Sequence, residues 1–195
     1  MKHLLMLACL LAQITTSQAE NTNFSLQTTG VKQLVQFISD APLEKIVGKA
    51  SEMSGDLSLN LQNLSSGSSG SVTVKMASFD TGLSLRNQHM RENHLHTNEF
   101  PDAIFTIKSI VSAEPADISA GGAAHTLLRG ELDLHGVKKQ YEMLGQIAYD
   151  PATGRVTARY NWNILLQDHQ IPRPAFLFMK LSETQEVTVE LVFGK

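Results

Sequence analysis

Apolar and polar residues alternate one by one through most of this chain. Val156, Ala158, Tyr160, Trp162 and Ile164 are separated by Thr157, Arg159, Asn161 and Asn163, the two-residue period of a strand with one buried face. Val187, Val189, Leu191 and Phe193 repeat the pattern, as do Val72, Val74 and Met76 against Thr73 and Lys75. Leu128, Leu132 and Leu134 alternate with Arg129, Glu131 and Asp133, and the break at Gly130 predicts a bulge or bend. Further strands are expected over 24–28, 34–39, 45–50, 55–63, 103–111 and 141–149.

Turn chemistry separates these runs. Asp150-Pro151-Ala152-Thr153-Gly154 has the residues of a hairpin loop, His135-Gly136 those of a tight corner, and Ala120-Gly121-Gly122-Ala123 those of a looser one. The serine- and glycine-rich run 65–71 has linker composition, but it joins two alternating runs and is read as a hairpin loop. Many short strands, with no repeat of fixed length and no helix-strand alternation, predict a single antiparallel barrel or sandwich. One segment breaks the pattern. Residues 83–98 have no proline and no alternation, with Thr81-Gly82 to start and Phe100-Pro101 to end a short surface helix. Arg86, Met90 and Asn93 or His94 would share one face of it, capping an end of the barrel.

The first nineteen residues stand apart. Met1-Lys2-His3 is followed by an apolar run from Leu4 to Ala12 and by Ser17-Gln18-Ala19, the layout of an export signal cut after Ala19. The run is short of the ~20 residues a membrane-spanning helix needs. A lipoprotein signal using Cys9 would leave too little apolar sequence ahead of it. The expected mature domain is 20–195, periplasmic or secreted. Cutting nineteen residues, Lys2 among them, from 195 leaves 176 with 15 Lys+Arg against 19 Asp+Glu, a net charge of −4. The single cysteine goes with the signal, so neither a disulfide nor a thiolate site is expected. No basic run with interleaved aromatics is present, which argues against nucleic acid as a partner.

Candidate chemistry is thin. His89, His94 and His96 crowd together, but His89 and His94 are five apart and diverge on a regular helix, so no metal site is expected. His89 is expected to make a structural hydrogen bond, and the other two to be exposed. Asp133 with His135 and Asp168 with His169 lack a nucleophile in register, and there is no Gly-x-Ser-x-Gly elbow. The chain is read as a non-enzyme without cofactors.

Three blocks, in this order, resemble the YceI family: Thr81-Gly82 through Arg91, then Phe100-Pro101 with Ala103-Ile104-Phe105, then Arg129 through Val137. Weaker similarity runs from Phe24 to Phe193. It thins at 38–44 and 171–179. The resemblance implies an eight-stranded, lipocalin-like antiparallel barrel around an elongated cavity that holds an isoprenoid, an isoprenoid quinone or a fatty-acyl tail. Composition does not separate a packed core from a slot, and without the resemblance a plain packed core is the expected reading; the resemblance favours the slot. Candidate ligand-binding residues are then Val74, Met76, Phe105, Leu132, Leu134, Tyr160 and Trp162, with Phe176 and Phe178 near one mouth. Arg86, His89 and Arg91 are candidate headgroup or structural polar residues. Arg129 and Lys138-Lys139 are further headgroup donors, the lysines being read first as solvated turn residues. For Arg86 a structural role is read as evenly placed with the headgroup role, tying the helix to a strand end through a carboxylate such as Asp102. Two other readings stay open: a packed-core stress or scaffold protein working through a partner surface, and a histidine-metal hydrolase. A homodimer is compatible with flat barrel faces.

Overall fold

A computed structural model describes residues 20–41, 44–176 and 179–195, with only the backbone over 175–180. All ten expected strands form: β1 (Thr22–Leu26), β2 (Leu34–Asp40), β3 (Lys45–Lys49), β4 (Met53–Leu59), β5 (Ser69–Lys75), β6 (Asp102–Glu114), β7 (Gly122–Leu134), β8 (Val137–Asp150), β9 (Arg155–Leu165) and, later in the chain, β12 (Thr184–Gly194). Between β9 and β12 lies a two-stranded hairpin, β10 (Ala175–Phe176) with β11 (Met179–Lys180).

Eight of these strands close a ring, β1-β4-β5-β6-β7-β8-β9-β12, with β12 returning to β1. Every pairing is antiparallel. The β2–β3 hairpin adds to the same edge of β12 through Glu190↔Leu34 to Gln185↔Ser39, while β1 takes the last residues of that edge. The free side of β3 is fastened by reciprocal backbone bonds of 2.9 Å between Lys49 and Asp80. The ring therefore closes at one end through β1 and at the other through β2 and β3.

Several boundaries differ from the sequence reading for local reasons. Strand β4 stops at Leu59 because the side chain of Asn60 accepts the backbone N–H of Gln62 and of Asn63, both at 3.1 Å, and turns the chain. Strands β6, β7 and β8 run 13, 13 and 14 residues, longer than their apolar alternation, since backbone pairing continues past the last apolar residue. Gly130 is not itself the bulge. The register slips lie on its partner β6, between Ile107 and Ser109 and between Ile110 and Ser112. Gly130 instead makes room: a Cβ there would sit 2.1 Å from the Phe105 ring, and Gly145 and Gly48 make the same room for Tyr160 and Phe37. The His135-Gly136 corner is a two-residue turn with φ of 54° and 74°, the left-handed turn that matches strand twist.

The helical segment is shorter than expected. Helix α1 spans Ser84–His89 and widens into a π turn over Met90–His94. Asn87 anchors it from beneath. Its carbonyl accepts the backbone N–H and the hydroxyl of Thr81 at 2.8 and 2.7 Å, and its amide donates to Asp80 at 2.6 Å. Hydrogen bonds from Asn87 and the Gly82 N–H hold the Asp80 carboxyl below its ordinary range.

The interior is not uniform along the barrel axis. At the end with the 60–68, 115–121 and 151–154 loops, Phe24, Leu59, Leu64, Ile118, Ile147, Val156 and Phe193 are almost wholly buried. Two of those loops are laced together by Leu64 N–H to Ala116 and Ile118 N–H to Leu61. That end is a packed plug. The other end, where α1 and residues 166–174 lie, is hollow.

Candidate ligand-binding cavity

The hollow half encloses a cavity of about 860 Å³. Its lining follows from strand alternation: in a barrel one face of each strand points inward, and Phe193, shared with the plug, is its floor. Val74, Met76, Phe105, Leu132, Leu134, Tyr160 and Trp162 all line it. The rings of Phe105 and Trp162 lie 6.2 Å apart across the space. The Tyr160 hydroxyl is satisfied in the wall by Thr126 at 2.6 Å, and burial raises its pKa to about 12, so it meets the cavity as a neutral ring. Phe178 lies outside the described residues, and only the backbone of Phe176, in β10, is described.

Most polar lining residues come from the connections at the mouth: Glu44 between β2 and β3, and Thr81, Ser84, Arg86, His89 and His94 between β5 and β6. Arg86 is a tie, with a different partner from the one expected. Its Nη1 donates to Glu44 at 2.7 Å, and its Nε and Nη2 donate to the hydroxyl and carbonyl of Thr81, both at 2.9 Å. Asp102 pairs with Lys75 at 2.8 Å instead, being held beside it by the β5–β6 register. Arg91 turns away from the cavity and donates to the Phe79 carbonyl at 3.3 Å. Arg129 is on the outer wall, paired at 2.7 Å with its cross-strand partner Glu142. Lys138 is exposed, and Lys139 reaches Asp168 at 3.3 Å.

The histidines reverse the expectation. His89 is exposed at the mouth and its ring makes no hydrogen bond among the described residues, while His94 and His96 are half-buried and engaged. His94 Nδ1 lies 2.9 Å from the Pro172 carbonyl, and burial lowers its pKa. His96 meets His135 at 2.8 Å; His135 reaches the His169 carbonyl at 3.0 Å; and the His169 ring bonds the Tyr141 hydroxyl at 2.8 Å. His169 is wholly buried, which lowers its pKa. This chain stitches the cap, the β7–β8 corner and the end of β9 together. Sequence spacing hides it because its members are far apart in the chain. Among the described residues no group of three or more His, Cys, Asp or Glu is placed to hold a metal ion.

The sequence pattern also passed over lining residues outside regular strands. Phe79, Met90, Leu95 and Ile171 cover the cavity from the connections, where no alternation exists to announce them. The signal for Met90 was its helical face shared with Arg86.

A YceI-like domain model matches residues 18–193. No curated protein matches the chain at a significant level. Among solved structures, BcnA of Burkholderia cenocepacia superposes with a TM-score of 0.71 at 15% identity, over 86% of this chain and 98% of that one. A polyisoprenoid-binding domain from Saccharophagus degradans, implicated in plant cell wall breakdown, gives 0.67 at 18%, over 88% and 97%. The YceI protein of Campylobacter jejuni gives 0.59 at 19%, over 76% and 84%. At such identities these likenesses establish the fold.

Proposed function

The chain belongs to the YceI-like family, and from that premise we propose that it encloses a long-chain amphiphile in its barrel for carriage, storage or protection. The observation that carries this reading is the cavity. A chamber of about 860 Å³ walled mostly by apolar side chains is a poor host for water, which needs polar partners. An apolar tail is the guest that such walls favour: burying twenty methylene groups gains ~16 kcal/mol before ordering and association costs. An isoprenoid, isoprenoid quinone or fatty-acyl chain meets that description. The polyisoprenoid-binding domain of the same fold supports the first of these.

The residues assigned to the tail are Val74, Met76, Phe105, Leu132, Leu134, Tyr160 and Trp162; Phe176 and Phe178 are assigned to it from the sequence alone. Arg86 and His89 are the polar groups beside a headgroup there. The function requires no catalytic group and no cofactor. Export is part of the reading, with a signal over 1–19 and a domain from Glu20; the family match, which starts at residue 18, supports that boundary.

Native mass spectrometry of the exported protein from its own host, with organic extraction, tests both parts. A stoichiometric isoprenoid or acyl species on a chain beginning at Glu20 is the expected result. A protein that emerges bare and also refuses added amphiphiles would sink the binding reading, and an intact leader would sink the export reading.

A further inference from the structure

The mouth of the cavity carries apolar surface that the fold itself does not use. Leu83 and Leu85 are 56% and 65% exposed, yet both also line the cavity. They flank Ser84, the first residue of α1. Among the described residues the other exposed large hydrophobics, Val47, Ile104, Val111 and Leu144, lie on strands and outside the cavity lining. Among the described residues, Leu83 and Leu85 are the exposed large hydrophobics that also line the cavity, so they join its apolar lining to the outer surface.

Charges around this rim are of both signs, with Arg91 and Glu92 side by side on the helical segment. Arg86 is paired with Glu44 at 2.7 Å and Lys45 with Asp40 at 3.6 Å. A rim of this kind suits an uncharged or zwitterionic interface, since no surplus of one sign is available to recognise an acidic surface. Two side chains continuous with an apolar cavity can enter the acyl boundary of a lipid layer and join it to the interior.

We propose that Leu83 and Leu85 dock the open end of the barrel on a lipid bilayer, so that a tail passes between bilayer and cavity without crossing bulk water. The proposal rests on the tail-binding reading above and adds the partner from which the tail comes. Docking is apolar, so it responds to the rim leucines and not to salt or lipid charge.

The test uses the full mature chain and pyrene-labelled hexadecanoic acid as probe. Equilibrium uptake of dispersed probe is read first, without vesicles, for wild type, Leu83→Ser/Leu85→Ser and Leu83→Met/Leu85→Met. Transfer from each loaded protein to phosphatidylcholine vesicles is then followed with and without added phosphatidylglycerol, at low and high salt. Wild-type transfer should speed up in proportion to vesicle concentration and change less than about twofold with salt or anionic lipid. The serine pair should transfer at least about fivefold more slowly and lose the dependence on vesicle concentration, while the methionine pair keeps both.

A wild-type rate indifferent to vesicle concentration, or a serine pair as fast as wild type, overturns the docking proposal. So does a slowing that tracks a change from dimer to monomer in light scattering, which would give the patch to a second copy of the chain. Failure of wild type to take up dispersed probe overturns the tail-binding reading, and docking with it; that result is distinct because no vesicle is present.

Discussion

Trp162 shows how one side chain joins wall and cavity. It lines the space beside Phe105, and a carboxylate in its place would face an apolar chamber where an isolated charge is costly. Trp162→Glu is expected to weaken uptake of a pyrene-labelled fatty acid at least a hundredfold, about 2.7 kcal/mol. The fold should persist, because the packed plug is at the other end. Unchanged affinity in a fluorescence titration would remove Trp162 from the binding wall. Gly130 tests the wall from behind. A methyl group there meets the Phe105 ring at 2.1 Å, so Gly130→Ala should cost about 1–3 kcal/mol by overpacking. In a denaturant double-mutant cycle Phe105→Leu should recover part of that loss. Additive effects would mean that the ring moves aside freely.

The connections at the mouth are held by polar contacts as well as by burial, and the histidine chain is the clearest polar case. His169 is buried, and its pKa lies below the ordinary 6.5. Asp168 and Lys139 are the charged groups beside it, with opposite effects. The unfolded chain takes up a proton on this imidazole near pH 6.5, whereas the folded chain does so only at lower pH. Below 6.5 the unfolded state binds more protons, and stability must fall as pH drops through that window. His94 is lowered in the same direction and adds with the same sign. His169→Gln should therefore flatten, without abolishing, the loss of urea stability between about pH 6.5 and 5. An unaltered slope would show that His169 does not carry it.

The whole molecule divides its work along the barrel axis, packed at one end and hollow at the other. Stability and binding should then trade against each other where the cavity can be filled. Ala158 lines it from β9. Ala158→Leu adds three carbons at ~0.8 kcal/mol each, for a gain of about 2 kcal/mol and a rise in Tm of roughly 4–8 °C at this chain length. The same variant should hold the fatty-acid probe less well. Scanning calorimetry and titration together check this, and a variant that gained stability without losing affinity would contradict a ligand seated against β9. Among the described residues no helix is long and apolar enough to cross a membrane.

Alternation along the chain was sufficient to read all ten strands and which side chains share one face of each, because a two-residue period is a local property of backbone geometry. The choice of a barrel over a sandwich came from the resemblance to the YceI family. The tight turn at His135-Gly136 was legible from its glycine, which takes the left-handed backbone the turn requires. Three things depended on the closed fold. The first is that the barrel is half plug and half cavity: inward residues look alike in sequence, and only loop closure over Leu64 and Ile118 decides which of them pack. The second is the partner of each polar group. Arg86 finds Glu44, not Asp102, because β2–β3 folds over the mouth while the β5–β6 register commits Asp102 to Lys75. The third is the histidine chain from His96 through His135 to His169, whose members meet only when three connections converge at one end. Local periodicity determines which face of a strand is apolar. What that face encloses is settled by contacts between residues far apart in the chain.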